Sequence, residues 1–91
     1  MTDELHIAGL VIHAMPKALK HVESAVAATK DMQVHGIHPD GKLVVTLEGP
    51  SANSIMDQIS EIRLITGVLN VSLVYQHTEP LQLLNEGVKY D

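Results

Sequence analysis

The chain has 91 residues, of which 45% are hydrophobic and 19% are charged, and its formal net charge at pH 7 is −5. This length and composition predict one globular domain with a modest core and argue against a disordered chain. The acidic balance argues against a protein that binds nucleic-acid phosphates, and the absence of cysteine excludes disulfides, thiol catalysis and cysteine-bound metals.

Hydrophobic periodicity predicts six elements in the order β-α-β-β-α-β. In chain order they are expected at residues 5–14, 16–29, 32–37, 42–48, 52–65 and 68–76. Pro16 suits the first turn of a helix, Asp40-Gly41 is typical of a hairpin turn, and Ser51 is a favourable N-cap. Gly67 is expected to end the second helix in a left-handed conformation.

This element order predicts an α+β fold, the ferredoxin-like βαββαβ sandwich. Right-handed crossovers would place both helices on one face of a four-stranded antiparallel sheet with strand order 4-1-3-2. No helix would cover the other face. We expect residues 1–77 to form this domain and residues 78–91 to form a C-terminal tail, either frayed or helical around Leu81–Asn85.

Alternation along the strands assigns side chains to the two faces of the predicted sheet. The residues expected to face the helices are Ala8, Leu10, Ile12, Leu43, Val45, Leu47, Leu69, Val71, Leu73 and Tyr75. The candidate binding residues, all expected on the uncovered face, are Ile7, Gly9, Val11, His13, Val44, Thr46, Glu48, Ser72 and Val74. Asn70 and Gln76 are assigned to the uncovered face as well.

The uncovered face would expose a contiguous apolar patch, and such patches mark interaction sites. Its apolar side chains would be Ile7, Val11, Val44 and Val74. Gly9 would let a ligand approach the backbone of the first strand closely, because glycine has no side chain. Two alternatives remain for this face, namely dimerisation through the sheet and coverage by the C-terminal tail.

The sequence offers no constellation that favours catalysis. Among its six histidines, His35 and His38 are the only close pair, and no set of three is placed to converge, so we expect no metal site. Asp57 and Glu61 lie four residues apart on the second predicted helix. They form either an ordinary solvated face or a pair that awaits a basic partner. We therefore expect a binding protein rather than an enzyme.

Three segments carry a family resemblance, LHIAGLVIHA at residues 5–14, GKLVVTLE at 41–48 and GVLNVSLVY at 67–75. Their order and spacing, over about residues 5–77, resemble the NapD family of cytoplasmic chaperones for the periplasmic nitrate reductase. The resemblance implies a non-enzymatic protein that binds the twin-arginine signal peptide of the reductase catalytic subunit. It implies that export through the Tat pathway is delayed until the molybdenum cofactor is inserted and the reductase has folded. It implies no cofactor in the chaperone itself.

A twin-arginine peptide would suit the uncovered face, because it joins two guanidinium groups to an apolar segment. We expect the apolar segment to pack on the valines and Glu48 to accept hydrogen bonds from the arginine pair. We expect a monomer or weak homodimer that binds no nucleic acid and does not insert into membranes. The alternatives are an ACT-like small-molecule-binding regulatory domain and a histidine-based metal carrier. Ala14-Met15-Pro16 lacks the glycine usual after the first strand of ACT domains, which argues against the first alternative.

Overall fold

Four strands and two helices follow the predicted order in the computed structural model, which describes residues 4–80. The strands are β1 (Glu4–Ala14), β2 (Met32–His38), β3 (Lys42–Gly49) and β4 (Val68–Pro80), and the helices are α1 (Leu19–Ala27) and α2 (Ala52–Arg63). All neighbouring strands are antiparallel, in the order β2-β3-β1-β4. The predicted ferredoxin-like topology is therefore confirmed. Within the described part of the chain, no helix is long and apolar enough to cross a membrane.

Local sequence explains where the helices begin and end. Pro16 opens a short 3-10 turn that leads into α1. Ser51 caps α2 as predicted, because its Oγ accepts a hydrogen bond of 3.1 Å from the Ser54 backbone N–H, and Ser54 Oγ accepts one from Ser51 N–H. The helix ends at Arg63, earlier than expected. Gly67, at φ +99°, therefore shapes the turn into β4 instead of capping the helix.

The helix-covered face of the sheet holds an aliphatic core. Its sheet residues include Ala8, Leu10, Ile12, Leu43, Val45 and Leu47, and its helix residues are Val22, Val26, Ile55, Ile59 and Ile62, each at most 3% exposed. A fully buried Val, Leu or Ile side chain contributes about 1.5–3 kcal/mol to the free energy of unfolding. The predicted facing of β1 and β3 is therefore confirmed.

Strand β4 does not follow simple alternation, because it contains β-bulges. Tyr75 pairs with Gly9 of β1, and Leu73 pairs with the next residue of β1, Leu10, so Val74 is left as an extra residue. An extra residue reverses the alternation of side chains beyond it. Leu73 keeps its predicted place on the helix side of the sheet, whereas the residues beyond Val74 change sides.

The bulges correct three predicted orientations in β4. Tyr75 was expected to face the helices, but it lies opposite Gly9 on the uncovered face. Gln76, expected on the uncovered face, lies on the helix side for the same reason. Leu69 is the extra residue of a second bulge and is exposed, so it does not join the core as expected.

Strand β4 is longer than the alternation predicted. It runs to Pro80, so residues 78–80 extend the sheet past the expected domain end at residue 77. Thr78 and Glu79 pair with His6 and Leu5 at the beginning of β1. The helix considered around Leu81–Asn85 lies outside the described residues.

Candidate functional site

The uncovered face of the sheet, called the outer face below, contains a shallow groove of about 400 Å³. The groove, called the sheet groove below, is lined by the side chains of Val11, His35, Val44, Thr46, Val74 and Tyr75, with Gly9 beneath them. Val44 is 48% exposed and Tyr75 is 49% exposed. Because so much apolar surface is contiguous and accessible, the sheet groove is the best candidate for an interaction site in the described residues.

Tyr75 and Gly9 together shape one wall of the sheet groove. The two residues are cross-strand partners, and a methyl group in place of the glycine hydrogen would overlap the tyrosine ring. The ring therefore lies directly against the backbone of β1. The space above Gly9, which was expected to admit a ligand, is filled by Tyr75, so a ligand would meet the aromatic ring instead of the backbone.

The opposite rim of the sheet groove is polar. His35 Nε2 lies 2.7 Å from Thr46 Oγ1, which joins β2 to β3 across the outer face. His35 sits where the register between β2 and β3 shifts, between Val34 and Gly36. This irregularity brings His35 to the groove and leaves it exposed.

The nine residues predicted for the binding site all lie on the outer face, but they do not form a single cluster. The groove brings together Gly9, Val11, Val44, Thr46 and Val74. Ser72 is beside them as the cross-strand partner of Val11. Ile7 and Glu48 pair with each other towards one end of the sheet, and His13 pairs with Lys42 towards the other.

Two residues of the groove, Tyr75 and His35, were missed by the sequence analysis. Each is brought to the outer face beside a change of strand register, which alternation alone does not reveal. One signal for Tyr75 is present in the sequence. A glycine inside a long strand is often covered by an aromatic side chain on the neighbouring strand, and Gly9 and Tyr75 form such a pair.

Acidic residues lie at the end of the outer face where Ile7 is found. Glu48 donates its backbone N–H to Asp31 O at 2.9 Å, and Gln58 Nε2 donates to Glu48 O at 2.8 Å. These bonds fix the backbone of Glu48, whereas its carboxylate makes no ion pair within residues 4–80. A second depression of about 230 Å³ beside it is lined by Glu4, Asp31 and Glu48 among others. An exposed carboxylate of this kind is available to a cationic partner.

A small ion-pair network lies at the opposite end of the sheet. Asp40 Oδ1 is 2.7 Å from His38 Nδ1, and Asp40 Oδ2 is 3.7 Å from Lys42 Nζ. The hydrogen bond with His38, helped by the charges of His38 and Lys42, holds the pKa of the Asp40 carboxyl below its usual value. The network sits at the hairpin between β2 and β3, and all three residues are exposed.

The described histidines have carboxylate neighbours, but these do not assemble a metal site. His77 Nε2 lies 2.6 Å from Glu79 Oε1, and His6 Nε2 lies 3.4 Å from Glu4 Oε1. In the range 4–80, no group of three His, Asp or Glu side chains is arranged to hold a metal ion. The arrangement of the outer face suits binding of a partly apolar, cationic ligand.

Comparisons with known proteins agree with this geometry. Residues 5–80 match the family described as NapD protein. The chain is 28% identical to Chaperone NapD of Haemophilus influenzae over 75 residues, covering 81% of each protein, and 28% identical to Chaperone NapD of Escherichia coli K12 over 80 residues, covering 87% of this chain and 92% of the relative.

A solved structure also matches the fold. The solution structure of the E. coli Tat proofreading chaperone protein NapD superposes with a TM-score of 0.74 at 28% identity, covering 82% of this chain and 80% of the other. The relatives are chaperones and not enzymes, as the sequence analysis predicted. The chain belongs to the NapD family and has the role of a chaperone.

Proposed function

We propose that the chain binds the twin-arginine signal peptide of the catalytic subunit of the periplasmic nitrate reductase. Binding takes place in the cytoplasm and delays export until the molybdenum cofactor is inserted and the enzyme has folded. Membership of the NapD family supports this proposal, as does the likeness to a protein described as a Tat proofreading chaperone. The observation on which it chiefly rests is the exposed apolar sheet groove with a free carboxylate, Glu48, near one end.

The sheet groove supplies the apolar contact that such a peptide needs. Val11, Val44 and Val74 present methyl groups around the Tyr75 ring, and no helix covers them. Burying a few hundred Å² of apolar surface stabilises a complex by several kcal/mol, at roughly 25 cal/mol per Å², before the cost of ordering the peptide is subtracted. Apolar contact therefore contributes most of the affinity.

The arginine pair would be recognised by carboxylates beyond the groove. Glu48 is on the outer face, its backbone is fixed, and its side chain is exposed, which suits a bidentate hydrogen bond with a guanidinium group. An exposed ion pair contributes only about 0.2–1 kcal/mol. We therefore assign Glu48 to selectivity and to steering of the encounter more than to affinity.

A titration calorimetry experiment tests the proposal with the full chain. The probe is a synthetic leader peptide of the nitrate reductase catalytic subunit from the same organism. We expect saturable binding, and we expect weaker binding when both arginines of the peptide are replaced by glutamine. No saturable binding of the unaltered leader would contradict the proposed function.

A matched pair of variants locates the binding site. Val44→Asp places a charge in the sheet groove, whereas Met56→Asp places one on α2, where Met56 is similarly exposed at 52%. We expect Val44→Asp to weaken leader binding at least about tenfold, because a charge in an apolar contact costs more than 1 kcal/mol. Met56→Asp is expected to bind like the unaltered protein. Equal losses in both variants would contradict the assignment of the site to the outer face.

The alternatives considered from the sequence receive less support. The relatives are named chaperones, which does not favour an ACT-like regulatory domain. A histidine-based metal carrier needs at least three converging ligands, and the part of the chain that the structure describes holds no such group.

A further inference from the structure

The outer face is polarised along the length of β1. At one end, Ile7 lies between Glu48 of β3 and His77 of β4, and Glu79 pairs with Leu5 just beyond. We call this the acidic end. Lys30 and Asp31 are also near it, in the turn before β2, and Lys30 forms no ion pair in the described range.

The other end of β1 carries a different set of groups. His13 lies between Lys42 of β3 and Asn70 of β4, and His38 pairs with Lys42 from β2. We call this the basic end. Asp40 reduces its positive charge by pairing with both His38 and Lys42. The basic end is therefore close to neutral at pH 7, whereas the acidic end is negative. The apolar sheet groove lies between the two ends.

The distance between these ends suits a helical segment of defined length. Ile7 and His13 are six residues apart on β1, which at about 3.3–3.4 Å per residue is about 20 Å. An α-helix rises about 1.5 Å per residue, so about 13 helical residues span the same distance. A leader that holds its arginine pair at one end of the outer face would place about three and a half helical turns of apolar sequence over the groove.

We infer that the signal peptide binds as a helix that runs in the same direction as β1, with its arginine pair at the acidic end. This inference rests on the proposed function and adds the direction of the bound peptide. In this orientation the guanidinium groups lie near Glu48 and Glu79, and the helix N-terminus, with its partial positive charge, points the same way. The partial negative charge of the helix C-terminus then lies near Lys42 and His13.

The reverse orientation is unfavourable at both ends. It would place two arginines beside Lys42, and it would place the negative end of the peptide helix beside the carboxylate of Glu48. The apolar groove would be filled equally well in either direction, because its valines have no polarity. Charge therefore decides the direction, and apolar contact decides the affinity.

Paramagnetic labelling tests this direction with the full-length, isotope-labelled chain. A nitroxide is attached either to the N-terminus of the leader, before the arginine pair, or to the C-terminal end of its apolar segment. We expect the N-terminal label to broaden the amide signals of Ile7 and Glu48, and the C-terminal label to broaden those of His13 and Lys42.

The outcomes of the labelling experiment are distinguishable. The opposite pattern overturns the inferred direction and leaves the proposed function intact. Equal broadening of both ends by each label overturns a single direction. A leader that does not bind overturns both the direction and the proposed function.

A charge variant gives an independent measure of the same inference. We expect Glu48→Gln to weaken binding of the unaltered leader about twofold to fivefold, the range for an exposed ion pair. The same variant should not weaken a leader whose two arginines are replaced by glutamine. Asp57→Gln, on exposed α2, is the matched control and is expected to change neither affinity. An equal effect of Glu48→Gln on both peptides would overturn the placement of the arginine pair at the acidic end.

Discussion

The two faces of the sheet differ in exposure far more than in composition. Val45 is fully buried, whereas its neighbour in sequence, Val44, is 48% exposed. Leu10 and Ile12 face the helices, and Val11 between them lines the sheet groove. Both faces are rich in β-branched residues, so composition does not distinguish core from surface. The right-handed crossovers decide it, because they bring both helices to one side.

This comparison assigns different work to similar side chains. Apolar residues under the helices stabilise the fold, whereas the equally apolar residues above the outer face gain little from folding and remain available to a partner. Substitutions on the two faces should therefore separate stability from binding. The predictions below test that separation, beginning with the largest effect.

Ile59→Asp should unfold the domain. Ile59 is 3% exposed in the core, where an unpaired carboxylate costs about 4 kcal/mol or more, a large part of the stability of a small domain. Thermal unfolding followed by circular dichroism measures the loss. Met56→Asp, one turn earlier on the exposed side of α2, should change the free energy of unfolding by only about 0.5 kcal/mol. A stable Ile59→Asp protein would contradict the assignment of the covered face as the core.

Val44→Asp should retain the fold and lose the ligand. The aspartate would be solvated on the outer face, so we expect a change of less than about 1 kcal/mol in the free energy of unfolding. The loss of leader affinity should be at least about tenfold, or about 1.4 kcal/mol. Urea unfolding and calorimetry on the same sample give both values. Unfolding of this variant would show that Val44 belongs to the core and that the two faces have been exchanged.

Gly9→Ala should displace the Tyr75 ring. The added methyl group overlaps the ring, but the ring is half exposed and can move, so the expected loss of stability is about 1 kcal/mol or less. Ring-proton chemical shifts of Tyr75 report the displacement. Gly36→Ala on β2 is the control, because no atom lies within 4 Å of the added methyl group. Unchanged Tyr75 signals in Gly9→Ala would contradict the packing of the ring on β1.

Asp40→Asn should have the smallest effect, and the effect should depend on pH. Because the folded-state pKa of Asp40 is lowered, its ion pairs stabilise the fold above the unfolded-state pKa, near 4. That stabilisation is lost as the pH falls through the lowered folded-state pKa. The melting temperatures of the two proteins should therefore differ slightly at pH 7 and converge at low pH. A difference that grows on acidification would contradict the sign of this pKa shift.

Much of the fold could be predicted because β1 and β3 alternate without interruption. In β3, Leu43, Val45 and Leu47 face the core and the residues between them face outwards, as expected from a period of two. The strand order followed from crossover handedness, and the start of α2 followed from the capping preference of Ser51. These features depend on local sequence or on rules that hold for the fold in general.

The candidate site could be predicted only in part, because it depends on strand register. A bulge at Val74 reverses the facing of Tyr75, and the shift near His35 brings a histidine to the groove. A bulge is defined by the pairing of two strands that are distant in sequence, so alternation within one strand does not reveal it. The valines of the groove were predicted, whereas its aromatic wall and polar rim were not.

Residue-by-residue NMR titration of the full chain with the leader peptide tests most directly whether the outer face is the binding site. We expect chemical-shift changes to concentrate at Val11, Val44, Thr46 and Tyr75, with little change at Met56 and Leu64 on the helix side. Changes concentrated around Met56 and Leu64, with the sheet groove unaffected, would contradict the role assigned to the outer face.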